Sequence, residues 1–276
     1  MFKTSRKIFL CLRLLVFSVA IYAQHSGDTV KSKARTKHKI LLVPLKTTML
    51  MSAIDKAVNT ATHFSYNKIT ASFRSGMDMA LLTAFKADYA TISLLQEAKK
   101  TDTILPYIYA SIGYKYDLVS GQDSSGESHA EFDLKKQKTH FIQNGQLQVP
   151  IDYSKRFMNV VISNPHLLSY LNKNYDADVF VFVNELDIKN IPNETTSDLS
   201  QSNFRREVVV HYSIVNMQKQ YITKGILNTY FPFNENNPEA ISKKYFSLIA
   251  QSMLLRLNKG IERLSSKAKK PSANSK

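Results

Sequence analysis

Residues Val179 to Ile188 have the sequence VFVFVNELDI, and this stretch decides the fold class. Its first five residues are β-branched or aromatic on both faces, which is typical of a central strand covered on both sides. Two more β-rich runs follow, Glu207 to Val215 and Tyr221 to Phe231, joined by the polar stretch Asn216 to Gln220. This spacing predicts an antiparallel hairpin after the central strand.

Helical patterns accompany these strands. Five apolar residues recur every four positions and predict a helix from about Ser65 to Lys86 with one buried face: Ile69, Phe73, Met77, Leu81 and Phe85. The run KILLVPL, Lys39 to Leu45, predicts a short buried strand. Asn164-Pro165 opens a predicted helix to about Tyr175, and Pro238 opens the last one. We therefore predict an α/β (α+β) fold, a single mixed sheet of about four or five strands with helices packed on it.

Two stretches between these elements have weaker patterns. The tyrosine-rich stretch Ile104 to Tyr116 predicts a short helix that ends at Gly113. From Ser120 to Gly145 the chain is polar and contains three glycines, which predicts a long loop or a mobile hairpin.

The first residues have the pattern of an export signal. Four basic residues precede a charge-free apolar run from Leu14 to Tyr22, namely Lys3, Arg6, Lys7 and Arg13. That run of about nine residues is too short to cross roughly 30 Å of hydrocarbon, and Ala23 follows it as a small residue for cleavage. We predict a signal peptide cleaved before Gln24 and an exported protein, either periplasmic or secreted.

The sequence lacks the common motifs that bind cofactors or metals. The only cysteine of the sequence, Cys11, lies in the predicted signal peptide, so the mature chain has no thiol for a disulfide or a metal. The sequence contains no GxGxxG, GxxxxGK[ST], GxSxG, HExxH or EF-hand pattern. We predict no cofactor, no resident metal and, more generally, no enzyme.

The positive charge is concentrated at the two ends. Of the net +15, the signal peptide contributes +4, residues 24–39 contribute +4 and residues 256–276 contribute +6, while residues 40–255 have a net charge of only +1. This distribution predicts a disordered basic linker at 24–38, one domain at 39–264 with a polar loop at 120–145, and a disordered basic tail at 265–276. A neutral body argues against nucleic-acid binding, although the ends offer an alternative, weak contact with an anionic membrane surface or nucleic acid.

Part of the chain resembles known envelope modules. The early apolar strand, Lys39 to Leu45, is followed later in the chain by a helix, an Asp-Ala-Asp step and an apolar strand within Pro165 to Val183. This order is similar to that of the amino-terminal domain of the Tol translocation protein B and of the lipoprotein activators of penicillin-binding proteins. The chain also resembles uncharacterised exported proteins of Bacteroidota, whose mature chains often begin with glutamine. The resemblance covers most of Lys39 to Leu264 in outline. It implies a non-catalytic binding or scaffolding role, with an envelope protein or a cell-wall component as partner, and it transfers no catalytic residue.

One polar cluster offers an alternative with chemistry. Glu185 and Asp187 share a face of the central strand, and Glu207, Val209 and His211 share a face of the next strand. If antiparallel pairing matched those faces, two carboxylates and an imidazole would meet as metal ligands or as an acid and base pair. The alternative function is therefore an exported hydrolase or metal-assisted enzyme. The competing interpretation is a solvated sheet face with an ordinary cross-strand histidine.

Four tyrosines lie within ten residues of one another beside the polar loop: Tyr107, Tyr109, Tyr114 and Tyr116. Exposed tyrosines form contact surfaces for peptides or glycans, because each offers apolar area and a hydroxyl. Buried tyrosines at the end of a helix are the competing interpretation. The sequence leaves both open.

Overall fold

The structure, a computed structural model, describes residues 38–118, 141–143, 146–148, 156–192 and 204–268. The predicted signal peptide, most of the linker and most of the polar loop lie outside these residues. The strands are β1 Lys39–Val43, β2 Leu50–Ser52, β3 Ala90–Ser93, β4 Ile112–Leu118, β5 Phe141–Gln143, β6 Gln146–Gln148, β7 Arg156–Ile162, β8 Val179–Pro192, β9 Phe204–Asn216 and β10 Tyr221–Pro232. The helices are α1 Asp55–Thr62, α2 Tyr66–Lys86, α3 Ala98–Ala110, α4 Leu167–Tyr175, α5 Pro238–Ile241 and α6 Ser247–Ala268, with a π-helical turn, Ser242–Phe246, between the last two.

The main sheet is mixed and confirms the predicted fold class. Its strand order is β10-β9-β8-β1-β3, and β2 pairs with β8 beside this path. β1 runs parallel to β3 and β8, whereas β8, β9 and β10 form an antiparallel meander. The sheet has six strands where the sequence predicted four or five, because the very short β2 and β3 have little pattern of their own.

Both faces of the sheet are covered, as the continuous apolar run of β8 predicted. Val181 and Val183 pack into the core formed with α1, α2 and α6. Phe180 and Phe182 pack into a second core on the opposite face, formed with α3 and α4. The sheet is therefore the middle of three layers, and alternate side chains of β8 serve the two cores.

A second antiparallel pair, β4 with β7, lies on the α3 and α4 side of the main sheet; we call it the ribbon. The helix that the sequence predicted to end at Gly113 ends three residues earlier, at Ala110, and Ile112 begins β4. Residues 112–118 form a strand because they pair with β7, which lies about 40 residues further along the chain. At the start of the ribbon the Ser111 carbonyl accepts hydrogen bonds from the amides of Ser163 and Asn164, each at 3.0 Å.

The outer edge of β10 is covered by α6. Arg256 on this helix donates a hydrogen bond to the Ile226 carbonyl, and Arg263 donates one to the Ile222 carbonyl, each at 3.0 Å. Such capping blocks the pairing of another strand at this edge.

Helix α6 continues to Ala268, which extends regular structure four residues into the predicted tail that begins at 265. Within the described ranges, no helix is both long enough and apolar enough to cross a membrane.

Close packing of α2 on the π-helical turn gives a first test of the fold. A Cβ atom added at Gly76 would lie 2.0 Å from Ser242 Oγ and 2.6 Å from Ser242 Cβ. We expect Gly76→Ala to lower the free energy of unfolding by about 1–3 kcal/mol through overpacking, and Ser242→Gly in the same chain to recover part of that loss. Urea unfolding of both single variants and the double variant measures this coupling.

Gly113→Ala is the matched control, because the nearest atom to its added Cβ would be Ser163 Oγ at an ordinary 3.5 Å. Equal losses for the two glycine variants would contradict the proposed packing.

Candidate functional site

The structure brings part of the predicted polar cluster together. Glu185 pairs directly with His211 across β8 and β9, and Asp187 pairs with Val209. A bulge at Asn184 shifts the register between Val183 and Glu185, so that both Asn184 and Glu185 contact the ribbon. Glu185, Asp187 and His211 are each at most 6 % exposed. The face is therefore covered, in contrast to the solvated sheet face of the competing interpretation.

His211 is a hydrogen-bond acceptor. Its Nδ1 atom accepts from the Met158 amide at 2.9 Å, which requires that Nδ1 carry no proton. Burial lowers the pKa of His211 to about 4, with the nearby Asp187 opposing and Lys189 reinforcing the shift. Glu185 Oε2 lies 3.5 Å from the same nitrogen. Since the imidazole is neutral, this contact is not a salt bridge.

The two carboxylates have different partners. Glu185 Oε2 accepts from the Tyr116 hydroxyl at 3.1 Å, and burial together with the charge of Asp187 raises the pKa of Glu185. Asp187 Oδ2 lies 3.0 Å from Lys189 Nζ. Its other oxygen, Oδ1, is buried without a hydrogen-bond partner among the described residues. Glu207, on the same face of β9 as His211, instead accepts from Asn228 at 2.7 Å and stays outside the cluster.

The cluster belongs to a larger arrangement that holds the ribbon on the sheet. The outward backbone groups of β7 bind four side chains of the main sheet. The Met158 amide binds His211 (2.9 Å), the Met158 carbonyl binds Asn184 (2.9 Å), the Val160 amide binds Ser213 (3.2 Å) and the Val160 carbonyl binds Tyr221 (2.6 Å). The side chains thus take the place of a neighbouring strand, and they satisfy an edge that would otherwise be buried without partners.

Further polar contacts extend this arrangement. Ser213 donates to Asn159 Oδ1 at 2.7 Å, and Asn159 donates to Asp117 Oδ2 at 2.8 Å. Lys224 also binds Asp117, at 2.8 Å. Burial alone would raise the pKa of Asp117, but the hydrogen bonds from Lys224 and Lys115 hold this pKa below its usual value.

Sequence reasoning missed Asn184, Ser213 and Asn159 as members of this arrangement. The available signal is a polar residue within an apolar strand, as in VFVFVN for Asn184 and HYSIV for Ser213. A polar residue at such a position needs a partner, but the partner's identity is not encoded nearby.

The four tyrosines divide into inward and outward pairs. Tyr109 donates to the Pro44 carbonyl at 2.9 Å and accepts from Arg74 at 3.2 Å, and burial raises the pKa of Tyr114 to about 12. Tyr107 and Tyr116 are more exposed, at 37 % and 52 %. Tyr107 stacks edge-on against another tyrosine, with ring centroids 5.1 Å apart. Tyr116 links the tyrosines to the polar cluster through its bond to Glu185.

The arrangement is limited in what it can do chemically. A general base needs a free nitrogen lone pair directed at a substrate, but the Nδ1 lone pair of His211 is occupied by a backbone amide. In the part of the chain that the structure describes, no three His, Cys, Asp or Glu side chains are placed to hold a metal ion. Glu185 Oε2 approaches His211 Nδ1 to 3.5 Å, which is longer than the hydrogen bond that an acid and base pair requires.

Comparisons with known proteins add no family. No family model matches the chain, and no curated protein matches it. The solved structures with distant similarity include the following two. Lipoprotein GNA1162 from Neisseria meningitidis is 10 % identical, with 78 % of this chain and 97 % of that chain covered and a TM-score of 0.32. The hypothetical protein CT253 from Chlamydia trachomatis is 11 % identical, with 84 % and 96 % covered and a TM-score of 0.30. Similarity at this level assigns neither a family nor a function to this chain.

Proposed function

We propose that this chain is an exported cell-envelope protein that binds another envelope component and does not act as a catalyst. The observation that carries the proposal is the use of the polar sheet face. Of the candidate catalytic side chains, His211 accepts from the backbone of the ribbon and Glu185 accepts from Tyr116 of the ribbon. Their neighbours Asn184 and Ser213 also bind the backbone of the ribbon. Their roles are accounted for by assembly of the fold, and the amino-terminal signal pattern supports the location.

The ribbon supplies the surface best suited to binding. Because Met158 and Val160 direct their backbone groups away from β4, their register partners Tyr116 and Tyr114 direct theirs away from β7. Among the described residues no strand pairs with that outer edge of β4. Two large side chains on it are exposed, Tyr116 at 52 % and Leu118 at 69 %.

An edge of this kind recognises an extended segment of a partner by strand addition. Main-chain hydrogen bonds supply the affinity, and alternate side chains such as Tyr116 and Leu118 supply the selectivity. The partner in this proposal is therefore an envelope protein with an extended segment that carries apolar residues at alternate positions. The long edge of β10 is unsuited to this role because Arg256 and Arg263 cap it.

A photo-crosslinking experiment tests this surface. A photoreactive phenylalanine analogue is placed at Leu118 and, as a matched control, at Leu255, which is 61 % exposed on α6. We expect one discrete adduct in the envelope fraction for position 118 and none for position 255. Equal adduct patterns at the two positions would contradict binding at the edge of β4.

The hydrolase alternative retains one favourable observation, the 3.5 Å approach of Glu185 to His211. It is tested separately by assaying the purified protein against a panel of ester, peptide and glycoside substrates. We expect no turnover above that of the Glu185→Gln variant. Turnover that this variant abolishes would replace the binding proposal with the enzymatic one.

A further inference from the structure

The outer edge of β4 faces away from the main sheet. One edge of β7 binds side chains of the main sheet, and β4 pairs with the other edge of β7. β7 therefore lies between the main sheet and β4, and the outer edge of β4 is on the far side. The ribbon is a sheet of two strands. Because a sheet gains stability when it has more than two strands, pairing at this edge would stabilise the ribbon.

The backbone groups along β4 alternate in direction. Tyr114, Tyr116 and Leu118 direct theirs away from β7, whereas Lys115 and Asp117 between them bond to β7. A further antiparallel strand can therefore join only in a register that places its own outward-directed residues opposite these three.

When the added strand is β4 of a second copy of this chain, the charged residues distinguish the possible two-fold registers. With the symmetry axis at Lys115 or at Asp117, that residue faces its own copy, and like charges directly opposite each other are destabilising. With the axis at Tyr114, Lys115 faces Gly113 of the second copy and no opposite charges meet. With the axis at Tyr116, Lys115 of each copy faces Asp117 of the other. Of the registers centred on residues 114–117, this one alone matches opposite charges.

The side chains that this register uses are accessible. The side chain of Lys115 is 57 % exposed, and that of Asp117, 3.2 Å away in the same chain, is 21 % exposed. Between the two copies these residues form a non-hydrogen-bonded pair, the kind in which opposing side chains lie closer together. The same register places Tyr114 opposite Leu118 and the two copies of Tyr116 opposite each other, and such aromatic and apolar cross-strand pairs stabilise a sheet.

We infer that the edge of β4 pairs with the same edge of a second copy, antiparallel and centred on Tyr116, when no envelope partner occupies it. This inference deepens the proposed function and rests on its assignment of the β4 edge as the binding surface. Lysine on an edge strand ordinarily discourages pairing, but here Asp117 of the second copy neutralises Lys115 in one register. The dimer protects the edge from unspecific pairing, and the extended segment of a partner has to displace the second copy.

Sedimentation equilibrium of the purified protein measures this pairing. We expect a monomer–dimer equilibrium with a dissociation constant in the micromolar range, as for a small interface. Lys115→Glu places like charges opposite each other on both sides of the symmetry axis, and it is expected to raise the dissociation constant about tenfold.

The matched control is Lys56→Glu, the same change of charge at an exposed position of α1, which packs on the opposite face of the main sheet from the ribbon. We expect this control to dimerise as the parent does. A parent that stays monomeric at millimolar concentration, or an equal loss of dimer in the two variants, would overturn the inference.

Disulfide trapping tests the register independently. The two copies of Tyr116 face each other with Cα atoms about 5.5 Å apart, so Tyr116→Cys is expected to form a disulfide-linked dimer under mild oxidation. Lys115→Cys is expected to stay unlinked, because its two copies lie on different cross-strand pairs, farther apart than the roughly 7 Å that a disulfide allows. The parent, whose only cysteine is Cys11, is the blank. The reverse pattern, or no linked dimer with either variant, would overturn the inference.

This inference and the proposed function fail in different ways. The dimer of the purified protein needs no other component. In the photo-crosslinking experiment at Leu118, an adduct with twice the mass of the chain reports the second copy, and an adduct of any other mass reports an envelope partner. An envelope adduct without a dimer would overturn this inference alone, whereas a dimer without an envelope adduct would overturn the proposed function alone.

Discussion

Replacement of Arg206 by alanine is expected to lower the free energy of unfolding by about 3 kcal/mol or more, the largest single effect outside the apolar cores. Arg206 is 1 % exposed. Its guanidinium donates to the Glu235 carbonyl at 2.6 Å, to Asn236 Oδ1 at 2.8 Å and to Asn190 Oδ1 at 3.3 Å. Alanine would leave these acceptors without their donor and would open a cavity beside the ring of Phe233, which lies 4.8 Å from the guanidinium carbon.

The measurement is urea unfolding followed by circular dichroism. The control is Arg205→Ala, because Arg205 is exposed and stacks on the ring of Tyr230 at 4.1 Å, so its loss is expected to cost less than about 1 kcal/mol. Arg206→Met, which keeps the volume, is expected to fall between the two. Similar losses for Arg205→Ala and Arg206→Ala would show that the buried contacts of Arg206 do not stabilise the fold as described.

The second large effect concerns how His211 holds the ribbon. His211→Leu is expected to cost about 1–3 kcal/mol at pH 7, because it leaves the Met158 amide buried without an acceptor. His211→Asn is expected to cost less, since its side-chain oxygen can take the position of Nδ1 and accept the same hydrogen bond. The two variants thus separate loss of the acceptor from loss of the ring.

The stability of the parent protein is expected to depend on pH through this residue. The pKa of His211 is lowered by burial from 6.5 to about 4, so the unfolded chain takes up its proton at a higher pH than the folded chain does. The stabilisation is therefore present above about pH 6.5 and is lost as the pH falls toward 4, to a total of about 3 kcal/mol. Glu185 has a raised pKa and acts in the opposite direction, but it is present in the parent and in His211→Asn alike.

Urea unfolding midpoints between pH 4 and pH 8 measure the difference between the parent and His211→Asn. We expect the parent to be the more stable at pH 7 and to lose that advantage on acidification. A difference that does not change with pH would show that His211 is not held in its neutral form by the fold.

The sequence predicted the elements whose patterns are local. The four-residue apolar repeat from Ile69 to Phe85 specified α2, and the side chain of Ser65 caps its first turn by accepting from the Lys68 amide. Asn216 to Gln220 specified the β9–β10 hairpin, because a short polar stretch between two β-rich runs leaves little choice of connection. The sequence could also suggest the pairing of Glu185 with His211, because the two-residue period of strands determines which side chains share a face.

Pairings between distant segments could not be predicted from the sequence. Tyr114 and Tyr116 lie in a strand because β7 pairs with them, and the local sequence predicted no strand there. The bulge at Asn184 and the side chains that replace a neighbouring strand along β7 depend on where the ribbon lies over the sheet.

The sequence alone determined the fold class, the central strand and the charge of the chain ends, because residue periodicity and composition encode them directly. Only the tertiary structure decided that the polar face of the sheet binds the ribbon and that α6 covers the outer edge of β10. Those properties arise from contacts between residues far apart in the chain, and local propensity carries no information about such contacts.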